Sequence, residues 1–305
     1  MVRNIHPDIF DGILFVAGYV YKQPDSFKTL MGKKIKGLFV PWFIFSNLNI
    51  LLSQVITLKG DRDLKGELFQ NFIQVREYGD GLWFVAALFV AFIPFYFVIK
   101  YITNKSKRII ISFILSLING LYVLLFPKDI FSWNSPNLPW HLEYIFQAMF
   151  WMILGYSFKG GWEEYLDRKN KRVTRLGVLL IYLILAFAPL GRFSGVYVEL
   201  SEYAISIVGL ICIIMLSKTL KTNKYLSYVG ANTLIFFAFH GKVYAVLEHI
   251  LHSKFGEFYG LCLSNMLLSS IVAIIMTIVM SMLLIVPAYI INTWFPWMVG
   301  RGKRK

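Results

Sequence analysis

The stretch GANTLIFFAFHGKVYAVLEHILH, Gly230–His252, decides how the chain is read. A helix of about 20 largely apolar residues crosses the hydrocarbon core of a bilayer, and this stretch has that length. It nevertheless carries His240 and Lys242. Ionisable groups inside a membrane helix are costly and turn to the bundle interior or to a watery cavity. What these two residues are for therefore depends on the class of the whole chain.

Composition settles the class. The 305 residues are 57% hydrophobic and 16% charged, with 27 Phe and a mean hydropathy of +0.60. A soluble domain of this composition would have too little polar surface to cover it. Apolar runs of membrane length recur along the chain. The spans expected are roughly Ile9–Tyr21, Leu38–Leu58, Leu82–Tyr101, Ile109–Phe126, His141–Phe158, Leu176–Gly191, Leu200–Ser217, Leu226–Leu247 and Leu261–Ile291. The last is long enough to tilt or break near Pro287. The expected architecture is all-α, a polytopic transmembrane helix bundle of about nine spans. No long polar linker divides it, so residues 1–305 read as one domain.

The net charge of +14 would suggest nucleic acid in a soluble protein. Here the Lys and Arg sit in short connections between apolar runs, so no nucleic-acid partner is implied and the lipid bilayer is the expected environment. Alternate connections are basic: Lys22–Lys36, Lys100–Arg108, Lys159–Arg175, Lys218–Lys224 and Arg301–Lys305. The positive-inside rule puts these in the cytoplasm, the C-terminus with them. The other connections carry acids, Trp and Pro, as in PKDIFSWNSPNLPW, and face outward. An odd number of spans then leaves the N-terminus outside. GWEEYLDRKNKRVTR, Gly161–Arg175, reads as a solvated connector or a helix lying on the surface.

Cys212 and Cys262 lie in apolar runs without a Cys or His at ligand spacing, so neither a disulfide nor a metal site is expected. His249 and His252 read as part of an external loop with Glu248, without an evident third ligand. His141 and Glu143 open a helix on the outer side, where a carboxylate suits the N-terminus and the histidine reads as interfacial. His240 lies deep in its span, where packing and chemistry are equal readings. Lys242 has a stem long enough to snorkel to the interface. Asp11 interrupts the first span in IFDGILFVAGYVY, as a proton-handling carboxylate or as a residue of the outer rim. Lys33, Lys34 and Lys36 lead into a span broken early by Pro41. They read as a positive-inside anchor, or as an anion site for a phosphorylated ligand. No P-loop, GxSxG elbow, Rossmann fingerprint or HExxH is present.

Taken in order, ILFVAGYVYK (Ile13–Lys22), KKIKGLFVPWF (Lys33–Phe43), GLWFVAALF (Gly81–Phe89), YIFQAMFWMILGYSFK (Tyr144–Lys159) and LSYVGANTLIFFAFH (Leu226–His240) resemble acyltransferase family 3. These are integral-membrane O-acyltransferases, and the likeness is nearest to the fucose 4-O-acetylase-like branch. The resemblance implies a bundle of usually ten helices. It implies transfer of an acetyl group from acetyl-CoA, as donor and without a metal, to a hydroxyl of a cell-surface sugar or polysaccharide, in a bacterial plasma membrane. It places Lys33, Lys34 and Lys36 at the CoA phosphates and His240 at the histidine closing the late helix, so that His240 and Asp11 are the catalytic candidates. Members begin with a helix ending in a histidine taken as catalytic. IFDGILFVAGY has no such helix ahead of it, and a truncated or inactive relative is the corresponding alternative. A transporter or binding protein for a sugar or lipid-linked intermediate, coupled through Asp11, His240 and Lys242, is the alternative of another class.

Overall fold

The computed structural model describes residues 6–24, 26–57, 63–73, 82–125, 138–187, 196–220 and 222–301. These residues form α-helices and no strand. In chain order they are α1 (His6–Tyr19), α2 (Phe27–Lys34), α3 (Val40–Thr57), α4 (Leu64–Ile73), α5 (Trp83–Tyr101), α6 (Lys105–Leu125), α7 (Ile145–Phe158) and α8 (Gly161–Lys169). Then follow α9 (Arg172–Phe187), α10 (Val196–Ser217), α11 (Lys224–Ala231), α12 (Thr233–Lys254), α13 (Gly256–Ser264), α14 (Met266–Leu283) and α15 (Ile285–Trp294). Among the described residues five helical segments are long and apolar enough to cross a membrane: Phe27–Ser53, Trp83–Tyr101, Leu200–Ser217, Thr233–Lys254 and Met266–Trp294. Much of the two connections expected to face outward lies outside the described residues.

Burial is arranged as in a membrane protein. In α6 the buried positions among the described side chains are Ser112, Ser116 and Asn119, whereas Ile110, Ile111, Ile114 and Ile118 are exposed. A helix in water would do the reverse. In lipid the apolar side chains need no cover, and small or polar ones are used for helix–helix contact. α9 likewise exposes Leu176, Leu180, Ile181 and Ile184.

The residues group into two compact units. One holds residues 1–31, 74–76 and 86–222; the other holds 32–73, 77–85 and 223–305. In the first unit α1 and α7 run parallel, so Leu14 packs by Phe150 and Trp151 while Phe15 meets Phe158 at 5.5 Å. Their backbones touch through glycine. A Cβ on Gly18 would lie 1.9 Å from the Met152 carbonyl oxygen, and one on Gly155 would lie 1.9 Å from that of Phe15. α6 runs antiparallel to α7, with Phe113 against Phe150 at 5.3 Å. Tyr203 of α10 stacks on Trp151 at 5.9 Å and meets Ser116 through its hydroxyl. Gly160, at a φ of 83°, adopts a backbone conformation that glycine alone takes readily and carries the chain from α7 into α8. The strip Gly161–Arg175, read as a connector or surface helix, contains α8. Its Glu163 accepts from the Tyr19 hydroxyl at 2.9 Å.

In the second unit a π-helical turn, Ile35–Phe39, precedes α3. Pro41 lacks an N–H and its ring presses on the carbonyl four residues back, that of Gly37. A widened turn at that point relieves the clash. Phe45 of α3 packs on Phe239 of α12 at 5.6 Å, and Asn49 donates to the Ala238 carbonyl at 2.7 Å. The late apolar runs are interrupted more than their hydropathy suggests. Leu226–Leu247 is broken at Asn232, which separates α11 from α12. Leu261–Ile291 is broken at Asn265, whose side chain caps α14 by accepting from the Leu267 and Leu268 amides. It is broken again at Leu284, three residues before Pro287. The proline ring excludes the carbonyl of Leu283 from the helical ladder, which accounts for the expected break falling there.

Candidate functional site

Each unit carries a polar arrangement that packing alone does not require. In the first unit it begins at a cavity of about 370 Å³ lined by Tyr21, Gln23, Lys105, Arg108, Tyr156, Ser157 and Lys159. Among the described residues three cations line it and no carboxylate does. Each cation is held by an uncharged partner. The Arg108 guanidinium lies 5.3 Å from the centre of the Tyr156 ring, and the Lys105 ammonium lies 4.6 Å from that of Trp162. The Lys159 ammonium donates to the Tyr21 carbonyl at 3.1 Å and lies 5.5 Å from the Tyr19 ring. Aromatic faces and carbonyls orient a cation without cancelling its charge. The nearby acids of α8 are engaged elsewhere, since Lys218 reaches Asp167 at 2.5 Å and Glu163 at 3.3 Å.

From this cavity a polar face runs up α6. Lys105, Arg108, Ser112, Ser116 and Asn119 recur at spacings of three and four, which places them on one side of the helix. The 3₁₀ turn Pro139–Tyr144, which enters α7, packs on α6. In it Trp140 and His141 both have positive φ, 60° and 52°, a conformation that disfavours residues with a Cβ. Glu143 holds the turn in that shape. One of its oxygens accepts from the Leu138 amide at 2.8 Å, and the other lies 3.1 Å from His141 Nδ1. Both side chains are 1% exposed. The histidine expected at the interface is buried within the protein. The turn folds His141 inward because its Glu143 partner is two residues away and equally buried. Asp11 is 7% exposed. Parallel packing of α1 and α7 puts it toward the end of the unit where α7 begins, as a residue buried within the protein.

The second unit contains His240, Lys33, Lys34 and Lys36. The His240 side chain is exposed, and its ring lies 5.0 Å from that of Phe237. Its Nδ1 is 2.6 Å from the Phe237 carbonyl oxygen. A carbonyl only accepts, so Nδ1 carries the proton and Nε2 is the basic nitrogen of the neutral ring. Lys242, expected to snorkel to an interface, is half-buried and donates to the Ser53 hydroxyl. The side chain turns inward because α3 offers an acceptor there. His249 and His252, expected in a loop, lie within α12. No cluster of metal-ligating side chains occurs among the described residues.

Lys33 and Lys34 form the last turn of α2, and Lys36 lies in the π-helical turn. Lys33 and Lys36 are exposed; Lys34 is half-buried. The Lys36 backbone is covered by Gly300, where a Cβ would lie 2.4 Å from the Lys36 carbonyl oxygen and where φ is 69°. Next to it Arg301 donates to the Asn232 side chain at 3.3 Å, to the Ala231 carbonyl at 2.5 Å and to the Asn292 side-chain oxygen. Asn292 also donates to Asn232 at 2.7 Å. The α11–α12 break is thereby tied to the C-terminal segment.

Three groups of functional interest escaped the reading of the sequence. In the sequence Lys105, Arg108 and Lys159 look like membrane anchors, His141–Glu143 like an interfacial pair, and Asn232 like part of a continuous span. The spacing of Lys105, Arg108, Ser112, Ser116 and Asn119 is the one signal in the sequence that exposes any of them.

Residues 13–288 match the profile of acyltransferase family 3, described as an acyltransferase domain. The match covers most of the chain, which belongs to this family of membrane acyltransferases. No curated protein and no solved structure matches it.

Proposed function

We propose that the chain is a membrane O-acetyltransferase that moves the acetyl group of acetyl-CoA to a hydroxyl of a cell-surface sugar or polysaccharide. The observation that carries this reading is the family match over residues 13–288, which includes parts of both helical units. On this proposal residues 1–305 act as one domain of about nine spans. It sits in a bacterial plasma membrane with its C-terminus in the cytoplasm, and its nearest likeness is to the fucose 4-O-acetylase-like branch.

The chemistry requires an acceptor oxygen to attack the thioester carbonyl. A C–O bond forms, the C–S bond breaks, and the hydroxyl proton passes to the departing CoA thiolate. Nε2 of His240 is the proposed acceptor of that proton, since its Nδ1–H is already committed to Phe237. Asp11 is the proposed second proton-handling group. Lys33, Lys34 and Lys36 are proposed at the CoA phosphates, for which an ammonium is a suitable point charge.

The test supplies purified protein with labelled acetyl-CoA and a glycan acceptor, using this chain and an N-terminally extended one. Label in an alkali-labile ester on the glycan is expected. Its absence from both preparations overturns the proposal.

A further inference from the structure

The cavity in the first unit has no role in that mechanism. We propose that it is a phosphate-binding site, formed by Tyr21, Lys105, Arg108, Ser157 and Lys159. It would take a phosphate or diphosphate group carried by a larger ligand.

Charge is the first argument. Three cations face a cavity with no lining carboxylate, and their partners are ring faces and backbone carbonyls. Glu163 and Asp167 of α8 bond to Lys218. Among the described residues that line the cavity, no carboxylate compensates this positive charge. Positive-inside anchoring explains cations at a membrane surface, where water solvates them. It does not explain their convergence on a cavity.

Donor geometry is the second, independent argument. The Tyr21 hydroxyl and the Ser157 hydroxyl are buried, their residues 5% and 4% exposed, and neither has a hydrogen-bond partner among the described residues. Arg108 Nε is likewise buried and unpartnered. Buried polar groups in folded proteins are almost always satisfied. Here three donors without acceptors belong to residues that line one cavity with two lysines. A ligand rich in acceptor oxygens and in negative charge satisfies both sets, and phosphate is the group with that chemistry. Arg108 is held against the Tyr156 ring, so its fork is oriented before the ligand arrives.

The ligand comes from one of two sources. One is the phosphate-bearing end of acyl-CoA; this identity rests on the function proposed above and moves the CoA phosphates from Lys33, Lys34 and Lys36 to this cavity. The other is the headgroup of an anionic lipid. The cavity volume of about 370 Å³ falls in the range of small-molecule sites.

The test measures binding of pyrophosphate and of CoA, separately, by calorimetry on the full chain in phosphatidylcholine nanodiscs. Variants are Arg108→Gln, Lys159→Gln and Tyr21→Phe, with Lys107→Gln as a charge control. Lys107 is exposed on the same helix and does not line the cavity. At least ~10-fold weaker pyrophosphate binding is expected for Arg108→Gln and Lys159→Gln, and a smaller loss for Tyr21→Phe, which removes one hydroxyl. Lys107→Gln is expected to bind as the parent does. Variants that melt like the parent yet bind pyrophosphate equally well overturn the site, as does equal weakening by Lys107→Gln.

Two further arms identify the source. CoA binding that weakens in the same variants assigns the site to the nucleotide end of the donor. Competition of pyrophosphate by phosphatidylglycerol placed in the nanodiscs, lost in the same variants, assigns it to a lipid headgroup. Pyrophosphate binding with this variant profile and no acetyl transfer leaves the site standing and the proposed function not. Acetyl transfer with unchanged pyrophosphate binding in every variant does the opposite.

Discussion

His240 and Lys242 are two residues apart, and the fold treats them oppositely. The long lysine reaches inward to Ser53, while the histidine stays exposed with its Nδ1 tied to Phe237. An exposed imidazole contributes little packing. His240→Gln is therefore expected to leave the melting temperature unchanged and to lower acetyl transfer by ~10²–10⁴-fold, the usual contribution of a general base. Unchanged transfer by this variant removes His240 from the mechanism. Lys218 gives a second prediction. Burial disfavours its charge, but hydrogen bonds to Asp167 and Glu163 more than offset that, and its pKa is raised above the ordinary 10.5. A raised folded value means that the contribution to stability is complete below 10.5 and is lost as pH climbs through the folded value. The melting temperature of Lys218→Met should fall below that of the parent at about pH 8, and the two should converge well above pH 10.5. A gap that widens with pH contradicts the sign.

At the scale of the element, α1 and α7 meet backbone to backbone. Gly18→Ala or Gly155→Ala places a Cβ 1.9 Å from a backbone oxygen of the facing helix. The neighbour is main chain and cannot rotate away, so the helices must separate. A loss of about 1–3 kcal/mol is expected for each substitution, the usual range for overpacking. It should appear as a lower melting temperature in detergent. Gly12→Ala, where a Cβ meets nothing within 4 Å, is the control on the same helix. An equal loss at Gly12 places the effect elsewhere. The same element shows the limit of sequence reasoning. ILFVAGYVYK and YIFQAMFWMILGYSFK read as helices from hydropathy, and both are helical. That Gly18 and Gly155 face each other depends on the register between helices, which no local pattern carries. The breaks at Asn232 and Leu284 differ in the same way. Pro287 makes the second legible, because proline alone disrupts the ladder. Asn232 breaks its helix where Asn292 and Arg301 converge on its side chain, and those partners lie 60 and 69 residues away.

At the scale of the molecule, the charge pattern makes a prediction about sidedness. A cysteine placed at Lys169, exposed at the end of α8, should resist a membrane-impermeant thiol reagent in intact cells and react once the membrane is opened. The native Cys212 and Cys262 are buried and give a low background. Labelling in intact cells reverses the proposed orientation.

Hydropathy alone determined that the chain is helical and belongs in a bilayer, and the ordered strips pointed to its family. Both depend on local quantities, the cost of moving each residue from water into lipid and the identity of residues near one another in sequence. Tertiary structure decided which polar side chains are withdrawn from lipid and water. It turned His141 and Glu143 inward, lined up Ser112, Ser116 and Asn119 in the interior, and gathered Tyr21, Lys105, Arg108, Ser157 and Lys159 around one cavity. Burial and charge convergence depend on partners that are distant in sequence, so a lysine that anchors a helix and a lysine that lines a site look the same until the chain is folded.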